Sequence, residues 1–261
     1  MSNLQIPYGR QSIDTEDISS VLSVLQSDFL TQGMMVPEFE CSVANYCGAK
    51  FAVAVMNATA ALHIACLALG VRPGDVVWTS AITFAASANC ARYCGADVDF
   101  VDIDPITCNM SVEALESKLQ RAARDGKLPK VIIPVHLCGQ SCDMRSIGAL
   151  AREFGCRVIE DAAHAIGGRF EGSPVGACNY SDIVVFSFHP VKIITTGEGG
   201  MALTNDPELA RRMELLRSHG ITRDPDLMSF PSMGPCYYEQ IELGFNYRMT
   251  DIQAALGVSQ I

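Results

Sequence analysis

The pattern of hydrophobic and polar positions along the chain alternates between two periods. Short apolar runs, typical of buried strands, occupy residues 51–55, 76–79, 98–101, 131–136, 157–161, 182–188 and 200–204. Apolar residues three or four positions apart, typical of amphipathic helices, occur at residues 15–27, 59–69, 84–93, 111–119, 144–154 and 206–216. This alternation predicts an α/β fold with a mostly parallel sheet covered by helices.

No internal repeat, linker or charge block interrupts this pattern. Residues 15–261 are therefore predicted to form one large domain behind a segment of residues 1–14. Near the end of the chain, residues 250–253 predict a capping box that begins a last helix, and no glycine, proline or basic turn ends it. The apolar face of that helix comprises Ile252, Ala255 and Leu256. We therefore expect a piece of a longer protein, in which further chain covers this face.

The composition and charge exclude several classes of protein. Of the 261 residues, 49% are hydrophobic and 18% are charged, which is typical of a folded chain with a sizeable core. The net charge of −10 argues against a nucleic-acid partner, since phosphate binding needs a basic surface. No apolar run approaches the roughly 18 residues of a membrane span, and the N-terminus lacks the features of a secretory signal. The eleven cysteines include no Cys-x-x-Cys, so we expect reduced thiols, no metal site and a cytoplasmic protein.

One of the five lysines lies in unusual surroundings. The other four lie beside glycine, proline or charged residues, whereas Lys192 lies between apolar residues 183–188 and 193–194. Partial burial lowers the pKa of an amine and makes it nucleophilic. A lysine whose aliphatic stem covers apolar surface while its charge reaches water explains the same pattern. Spacing alone leaves both interpretations open.

Two further signals lie at the ends of predicted strands. Asp161 ends the strand of residues 157–161, where open α/β folds bind ligands, although an aspartate that caps the next turn is a common alternative. A carboxylate there can hold the protonated pyridine nitrogen of pyridoxal phosphate (PLP). The turn of residues 58–60 begins a helix whose free N–H groups and Thr59 hydroxyl can bind a phosphate, and Ser187 can add a second hydroxyl. Together with Lys192, these groups favour a PLP site over a nucleotide site.

The motifs around these residues resemble those of one enzyme family. The segment SFHPVKIITTGEGG at residues 187–200, with EDAAHA at residues 160–165 upstream, resembles the PLP-dependent sugar aminotransferases of the DegT/DnrJ family. Within that family, the resemblance favours the transaminases of pseudaminic acid biosynthesis. It extends along the whole chain through YGRQ at residues 8–11, DFLTQG at 28–33, WTSAITF at 78–84, PVHLCGQ at 134–140, RSHGITRD at 217–224 and LGFNYRM at 243–249. The resemblance implies the large domain of PLP-dependent transferase fold type I, like that of aspartate aminotransferase, with the small C-terminal domain missing.

The same resemblance implies a role for each matching residue. Lys192 would bind the cofactor covalently, and Asp161 would hold its pyridine nitrogen. The other cofactor-binding residues would be Phe84 stacked on the ring, His164 near the phenolic oxygen, and Ala58, Thr59, Ala60 and Ser187 around the phosphate. Asn246 would reach the cofactor of a neighbouring subunit, so the active site would belong to a homodimer. The substrate would contact Tyr8 in the segment of residues 1–14, and also Asp28, Phe29, Leu30, Thr31, Ala58 and Ser187.

The function that the resemblance implies is amino transfer from L-glutamate to C4 of a UDP-linked 4-keto-6-deoxy-N-acetylhexosamine, in pseudaminic acid biosynthesis. A PLP-dependent sugar dehydratase on the same fold is an alternative, but those relatives typically have histidine at the position of Lys192. A catalytically silent binding or regulatory fragment is the other alternative, and it gives little reason for a lysine, an acid and phosphate donors to occur together. The chain departs from the family at Ala60, Ala81 and Ala163, where serine, proline and serine are usual. These changes affect the expected affinity rather than the class of reaction.

Overall fold

The computed structural model describes residues 9–231, 234 and 236–261, so Tyr8 lies outside the described residues. The α-helices are α1 (Thr15–Leu25), α2 (Met35–Cys47), α3 (Ala58–Ala68), α4 (Ala86–Tyr93), α5 (Val112–Arg124), α6 (Met144–Glu153), α7 (Pro207–Arg217) and α8 (Asp251–Gln260). The strands are β1 (Phe51–Val55), β2 (Val76–Ser80), β3 (Asp97–Val101), β4 (Val131–Ile133), β5 (Arg157–Asp161), β6 (Arg169–Phe170), β7 (Ser173–Pro174), β8 (Ile183–Ser187), β9 (Gly200–Thr204), β10 (Ile221–Thr222) and β11 (Glu239–Gln240). A 3₁₀ turn covers Leu137–Gly139.

Seven of the strands form one sheet in the order β1-β9-β8-β5-β4-β2-β3. Strands β8, β5, β4, β2 and β3 pair with one another in parallel. Strand β9 runs antiparallel between β1 and β8. The remaining strands form two short hairpins, β6 with β7 and β10 with β11. The mostly parallel sheet predicted from the sequence is confirmed.

Helices cover both faces of this sheet. Neighbouring residues of a strand point to opposite sides, so each strand packs against helices on both faces. In β1, Val53 and Val55 pack into a core cluster with residues of α3, α4 and α7. Ala52 and Ala54 pack on the other face with residues of α2 and α8. A third cluster lies between the sheet and helices α5 and α6, and Trp78 belongs to it. The sheet is therefore buried on both sides, which explains the near-continuous apolar runs of its strands.

Several helix boundaries follow from local capping chemistry that the sequence makes visible. Ser111 accepts a hydrogen bond from the N–H of Ala114 at the start of α5. Asp206 caps α7, with proline at the first position of that helix. At α8, Thr250 and Gln253 form both hydrogen bonds of the predicted capping box. Each such cap stabilises the helix by about 1 kcal/mol.

The last helix is more completely packed than its sequence suggests. The expectation that Ala255 lies on an uncovered apolar face is wrong, because Ala255 is fully buried. Helix α8 packs against α1 and α2. Its Gly257 permits this approach, since a Cβ atom there would lie 2.5 Å from the Phe39 ring. Ile252 and Leu256, the other two residues of that face, are only half-buried, so α1 and α2 cover the face in part.

Two other features differ from the sequence prediction. Helix α2 was not predicted, because Pro37 in its first turn and its mixed polarity obscure the helical pattern; a proline there removes no intrahelical hydrogen bond. Helix α4 begins at Ala86 rather than at residue 84, which leaves Phe84 in the preceding turn. Among the described residues, none of the helices has the length and apolar character needed to cross a bilayer.

Candidate active site

A cavity of about 440 Å³ lies at the carboxyl ends of the parallel strands. Strands β5 and β8 pair in register Asp161 with Val185, so Asp161 and Ser187 end at the same edge of the sheet. The turn from β1 into α3 and the loop after β8 complete the walls. Among the residues predicted from the sequence, those that line the cavity are Ala58, Thr59, Phe84, Asp161, His164, Ser187 and Lys192.

Asp161 is held in a fixed orientation inside this cavity. Its side chain is only 5% exposed. The Ser87 hydroxyl donates to Oδ2 at 2.5 Å, and the N–H of Ala163 donates to Oδ1 at 3.1 Å. The second bond is the turn cap considered from the sequence. Asp161 therefore caps the turn and also lines the cavity.

Lys192 is half-buried at the cavity wall. Burial lowers the pKa of its amine below the usual value, and the negative charge of Asp161 opposes that shift. In the part of the chain that the structure describes, no side chain accepts a hydrogen bond or forms an ion pair with its Nζ. An unpaired amine with a lowered pKa favours the nucleophilic interpretation over a lysine whose charge reaches open water.

His164 lines the same cavity, and its surroundings disfavour the charged ring. Burial lowers the pKa of His164, the positive charge of Lys192 lowers it further, and Asp161 opposes both. The N–H of Cys138 donates to His164 Nδ1 at 3.3 Å, so the proton of the neutral ring lies on Nε2. Only glycine fits at residue 139 beside it, because a Cβ on Gly139 would lie 2.7 Å from the His164 carbonyl oxygen. His164 can therefore donate one hydrogen bond to a ligand oxygen.

The N-terminus of α3 supplies free donors at the wall of the cavity. Asn57 Oδ1 accepts the N–H of Ala60 at 2.9 Å, and Ala60 is buried. The structure therefore does not bring Ala60 to the cavity. Within the described residues, the N–H groups of Ala58 and Thr59 have no acceptor. These N–H groups, together with the hydroxyls of Thr59 and Ser187, form a cradle that fits a phosphate at the positive end of a helix.

Other predicted residues lie at or beyond the rim. Phe84 is at the rim with its ring 76% exposed. Asn246 is exposed and forms an isolated bridge with Ser218, away from the cavity. The turn between α1 and α2 lies outside the cavity and is exposed at Asp28, Phe29, Leu30 and Thr31. The roles of these residues, and that of Tyr8, stay predictions.

Other residues of the site have no role that the sequence assigns. Val135, Leu137, Val191 and Glu198 line the cavity, and so do His136 and His189. Ser87 does not line the cavity, but its hydroxyl donates a hydrogen bond to Asp161. Nothing in the sequence near Ser87 distinguishes it from the small residues around it, whereas His136 and His189 lie just after predicted strands, which makes both plausible site residues from the sequence. Across the described residues, no group of three histidine, cysteine or carboxylate side chains is placed to bind a metal ion.

Comparison with protein families gives one match that spans nearly the whole chain. Residues 11–261 match the DegT/DnrJ/EryC1/StrS aminotransferase family. The chain belongs to this family. It is 43% identical over 263 residues to GDP-perosamine synthase of Caulobacter vibrioides, covering 100% of this chain and 66% of that protein. It is 40% identical over 260 residues to the UDP-4-amino-4,6-dideoxy-N-acetyl-beta-L-altrosamine transaminase of Campylobacter jejuni, covering 98% and 64%.

Solved structures of family members have the same fold. PseC of Helicobacter pylori, an aminotransferase involved in the biosynthesis of pseudoaminic acid, aligns with a TM-score of 0.88 at 32% identity over 98% of this chain and 65% of that one. A sugar aminotransferase of Streptococcus pneumoniae in its PLP-form aligns with a TM-score of 0.84 at 30% identity over 98% and 66%. The predicted family, fold and PLP dependence of the family are thereby confirmed. The chain spans 64 to 66% of the length of the curated relatives described above.

Proposed function

We propose that this chain is the PLP-binding part of a nucleotide-sugar aminotransferase. The observation that supports this most directly is the meeting, in one cavity, of the Lys192 amine, the Asp161 carboxylate and the phosphate cradle of Ala58 and Thr59. An amine, a carboxylate and phosphate donors that line one cavity suit a flat ring that has an aldehyde, a ring nitrogen and a phosphate at different edges.

Each residue has a defined task in that function. PLP, when bound, supplies a conjugated ring that withdraws electrons from the reacting carbon. Lys192 Nζ would hold the cofactor, and its amine would accept the proton from the α-carbon of glutamate and deliver a proton to C4 of the sugar. Asp161 would keep a proton on the pyridine nitrogen, and His164 Nε2 would donate to the phenolic oxygen of the cofactor. The burial that lowers the pKa of Lys192 favours the neutral amine, which is the form that accepts a proton.

The proposed substrates are L-glutamate and a UDP-linked 4-keto-6-deoxy-N-acetylhexosamine, in pseudaminic acid biosynthesis. Of the two curated relatives described above, the Caulobacter vibrioides protein has GDP in its name and the Campylobacter jejuni protein has UDP in its name. The similarity to the Campylobacter jejuni transaminase supports the UDP-linked substrate, and the similarity to PseC supports the pathway. The exposure of Asn246, outside the cavity of its own chain, suits a role across the boundary of a homodimer. Neither the dehydratase nor the silent fragment is favoured, since Lys192 is present and unpaired at the cavity.

The cofactor attachment is tested by borohydride reduction of the PLP-loaded protein followed by peptide mapping. The pyridoxyl label is expected on Lys192. Lys118 is a built-in control, because its Nζ is already bound to Asp99 at 2.7 Å. A label on Lys118, or on Lys50, Lys127 or Lys130, would overturn the assignment.

The substrate is tested by glutamate-dependent amination of 4-keto sugars linked to UDP and to GDP, in both configurations at the other ring carbons. The UDP-linked N-acetyl sugar is expected to react fastest. Faster turnover of the GDP-linked sugar would overturn the proposed substrate and leave the aminotransferase class in place.

A further inference from the structure

Ser87 connects the interior of the protein to the ligand cavity through Asp161. Ser87 is 0% exposed, and it is not among the residues that line the cavity. Its Oγ lies 2.5 Å from Asp161 Oδ2, 74 residues away in sequence. A carboxylate only accepts hydrogen bonds, so Ser87 donates its single proton to Asp161. Thr83 Oγ1 lies 2.8 Å from Ser87 Oγ and therefore donates to it.

We propose that Ser87, oriented by Thr83, is a positioning residue that fixes the Asp161 carboxylate for the pyridine nitrogen of the cofactor. This inference rests on the proposed function and adds to it a residue that touches neither cofactor nor substrate. The last torsion of an aspartate side chain is soft, so a single hydrogen bond leaves the carboxylate free to tilt. The bond from Ala163 to Oδ1 and the bond from Ser87 to Oδ2 together fix its plane.

The helix that places Ser87 is itself held rigidly. Ser87 lies in the first turn of α4, and the thiol of Cys90 donates to the Ser87 carbonyl oxygen at 3.3 Å. Cys90 and Ala91 are fully buried in the core cluster that α4 shares with α3. A group on a packed helix keeps its position more closely than a group on a loop. The Ser87 hydroxyl is therefore a fixed point against which Asp161 is oriented.

Ser80 in β2 provides a matched control for Ser87. Ser80, at the end of β2, is also buried, and its hydroxyl has no hydrogen-bond partner among the described residues. Replacing Ser80 removes a buried hydroxyl without touching Asp161. Any effect specific to Ser87→Ala, compared with Ser80→Ala, therefore reports the contact with Asp161 rather than the loss of a buried polar group.

The experiment uses PLP-loaded wild type, Ser87→Ala, Ser87→Thr and Ser80→Ala. We measure the pH midpoint of the visible absorbance band of the bound cofactor, the PLP dissociation constant and the thermal midpoint of the cofactor-free protein. A proton on the ring nitrogen, stabilised by Asp161, would make a second protonation of the bound cofactor less favourable. It would therefore lower the pH midpoint of the absorbance band. Ser87→Ala is therefore expected to raise the pH midpoint by at least about half a unit and to weaken PLP binding about fivefold. Ser87→Thr, which keeps the hydroxyl, restores the wild-type midpoint, and Ser80→Ala does not move it.

The outcomes separate this inference from the proposed function. If the wild type is labelled on Lys192 but Ser87→Ala has the wild-type pH midpoint, or Ser80→Ala shifts it equally, the positioning role is wrong while the proposed function stands. If the wild type does not bind PLP at Lys192, both fail. Should Ser87→Ala not fold, Thr83→Val decides the question, because it leaves Ser87 in place but unoriented. It is expected to shift the midpoint in the same direction by a smaller amount, and no shift would count against the role.

Discussion

Lys192 and Lys118 are both partly buried, but they differ in whether the amine has a hydrogen-bond partner. Lys118 Nζ lies 2.7 Å from Asp99 Oδ2, donates to the Phe100 carbonyl oxygen and lies 4.6 Å from the centroid of the Trp78 ring. The Lys118 side chain is only 18% exposed. Lys192 has no comparable partner among the described residues. Burial alone therefore does not make an amine reactive, whereas burial without a partner does.

The pKa values in the two regions show the same difference. Burial lowers the pKa of Lys192, and the nearby charge of Asp161 is too weak to reverse that shift. At the other site, burial acts to raise the pKa of Asp99, but hydrogen bonds from Lys118 and from the Phe100 N–H outweigh it and hold the value below 3.8. The charge of Lys118 stabilises its neighbour, while the amine of Lys192 is left available to a ligand.

The largest expected effect comes from removing each lysine in turn. Lys192→Ala is expected to abolish covalent cofactor binding and to lower amino transfer from glutamate by at least about 10³-fold, since it removes both nucleophile and base. Lys118→Ala is expected to keep that activity and to lower the free energy of unfolding by about 1 kcal/mol, measured by urea titration. A Lys192→Ala protein with near-normal turnover would remove the basis of the comparison.

The carboxylates beside the two lysines provide a second contrast. Asp161→Asn is expected to lower the rate by roughly 10- to 100-fold with every amino donor and acceptor alike, because a neutral amide cannot favour the protonated pyridine nitrogen. Asp99→Asn serves as its control and leaves the rate unchanged. Steady-state rates with several donors and sugars check this. A loss limited to one sugar nucleotide would instead assign Asp161 to substrate recognition.

A smaller difference is expected in the cofactor-free protein when an amine-reactive reagent is applied at about pH 8.5. Since the pKa of Lys192 is lowered, we expect Lys192 to be modified about tenfold faster than Lys118, as quantified by peptide mass spectrometry.

The lowered pKa of Lys192 also makes the stability of the protein depend on pH. The unfolded chain binds this proton more tightly, so the free energy of unfolding rises as pH increases from the folded-state pKa towards 10.5. Lys192→Met should flatten that rise, and an equal slope in both proteins would argue against the shift.

The smallest effects are expected at the phosphate cradle, where free and engaged donors again lie side by side. Thr59→Val is expected to weaken PLP binding about fivefold, because it removes a hydroxyl that lines the cavity. Ala60→Ser, which introduces the serine usual in the family, is expected to bring no gain, since residue 60 is buried and its N–H is bound to Asn57. Absorbance titration with PLP measures both. Tighter binding by Ala60→Ser would restore the role that the resemblance assigned to residue 60.

Much of the site could be predicted because its residues lie at the ends of strongly patterned elements. Asp161 and Ser187 end β5 and β8, and the carboxyl ends of parallel strands meet at one edge. The apolar surroundings of Lys192 distinguished it from the other four lysines, although they left its role open until the motif around it was considered. Ala60 was placed less well, because the donor that it would offer is engaged by a side chain three residues earlier. A capping side chain and a ligand compete for the same N–H. A family motif does not show whether the cap or the ligand accepts its hydrogen bond.

The sequence by itself determined the alternation of strands and helices, the caps at Ser111 and Thr250, and the isolation of Lys192, because each depends on residues within one or two helical turns. Tertiary structure decided the hydrogen bond between Ser87 and Asp161, the burial of Ala255 beneath α1 and α2, and the placing of Asn246 outside its own cavity. These contacts join residues far apart in the chain. They depend on the order of strands in the sheet and on how helices pack over it, and neither is encoded in the period of any single segment.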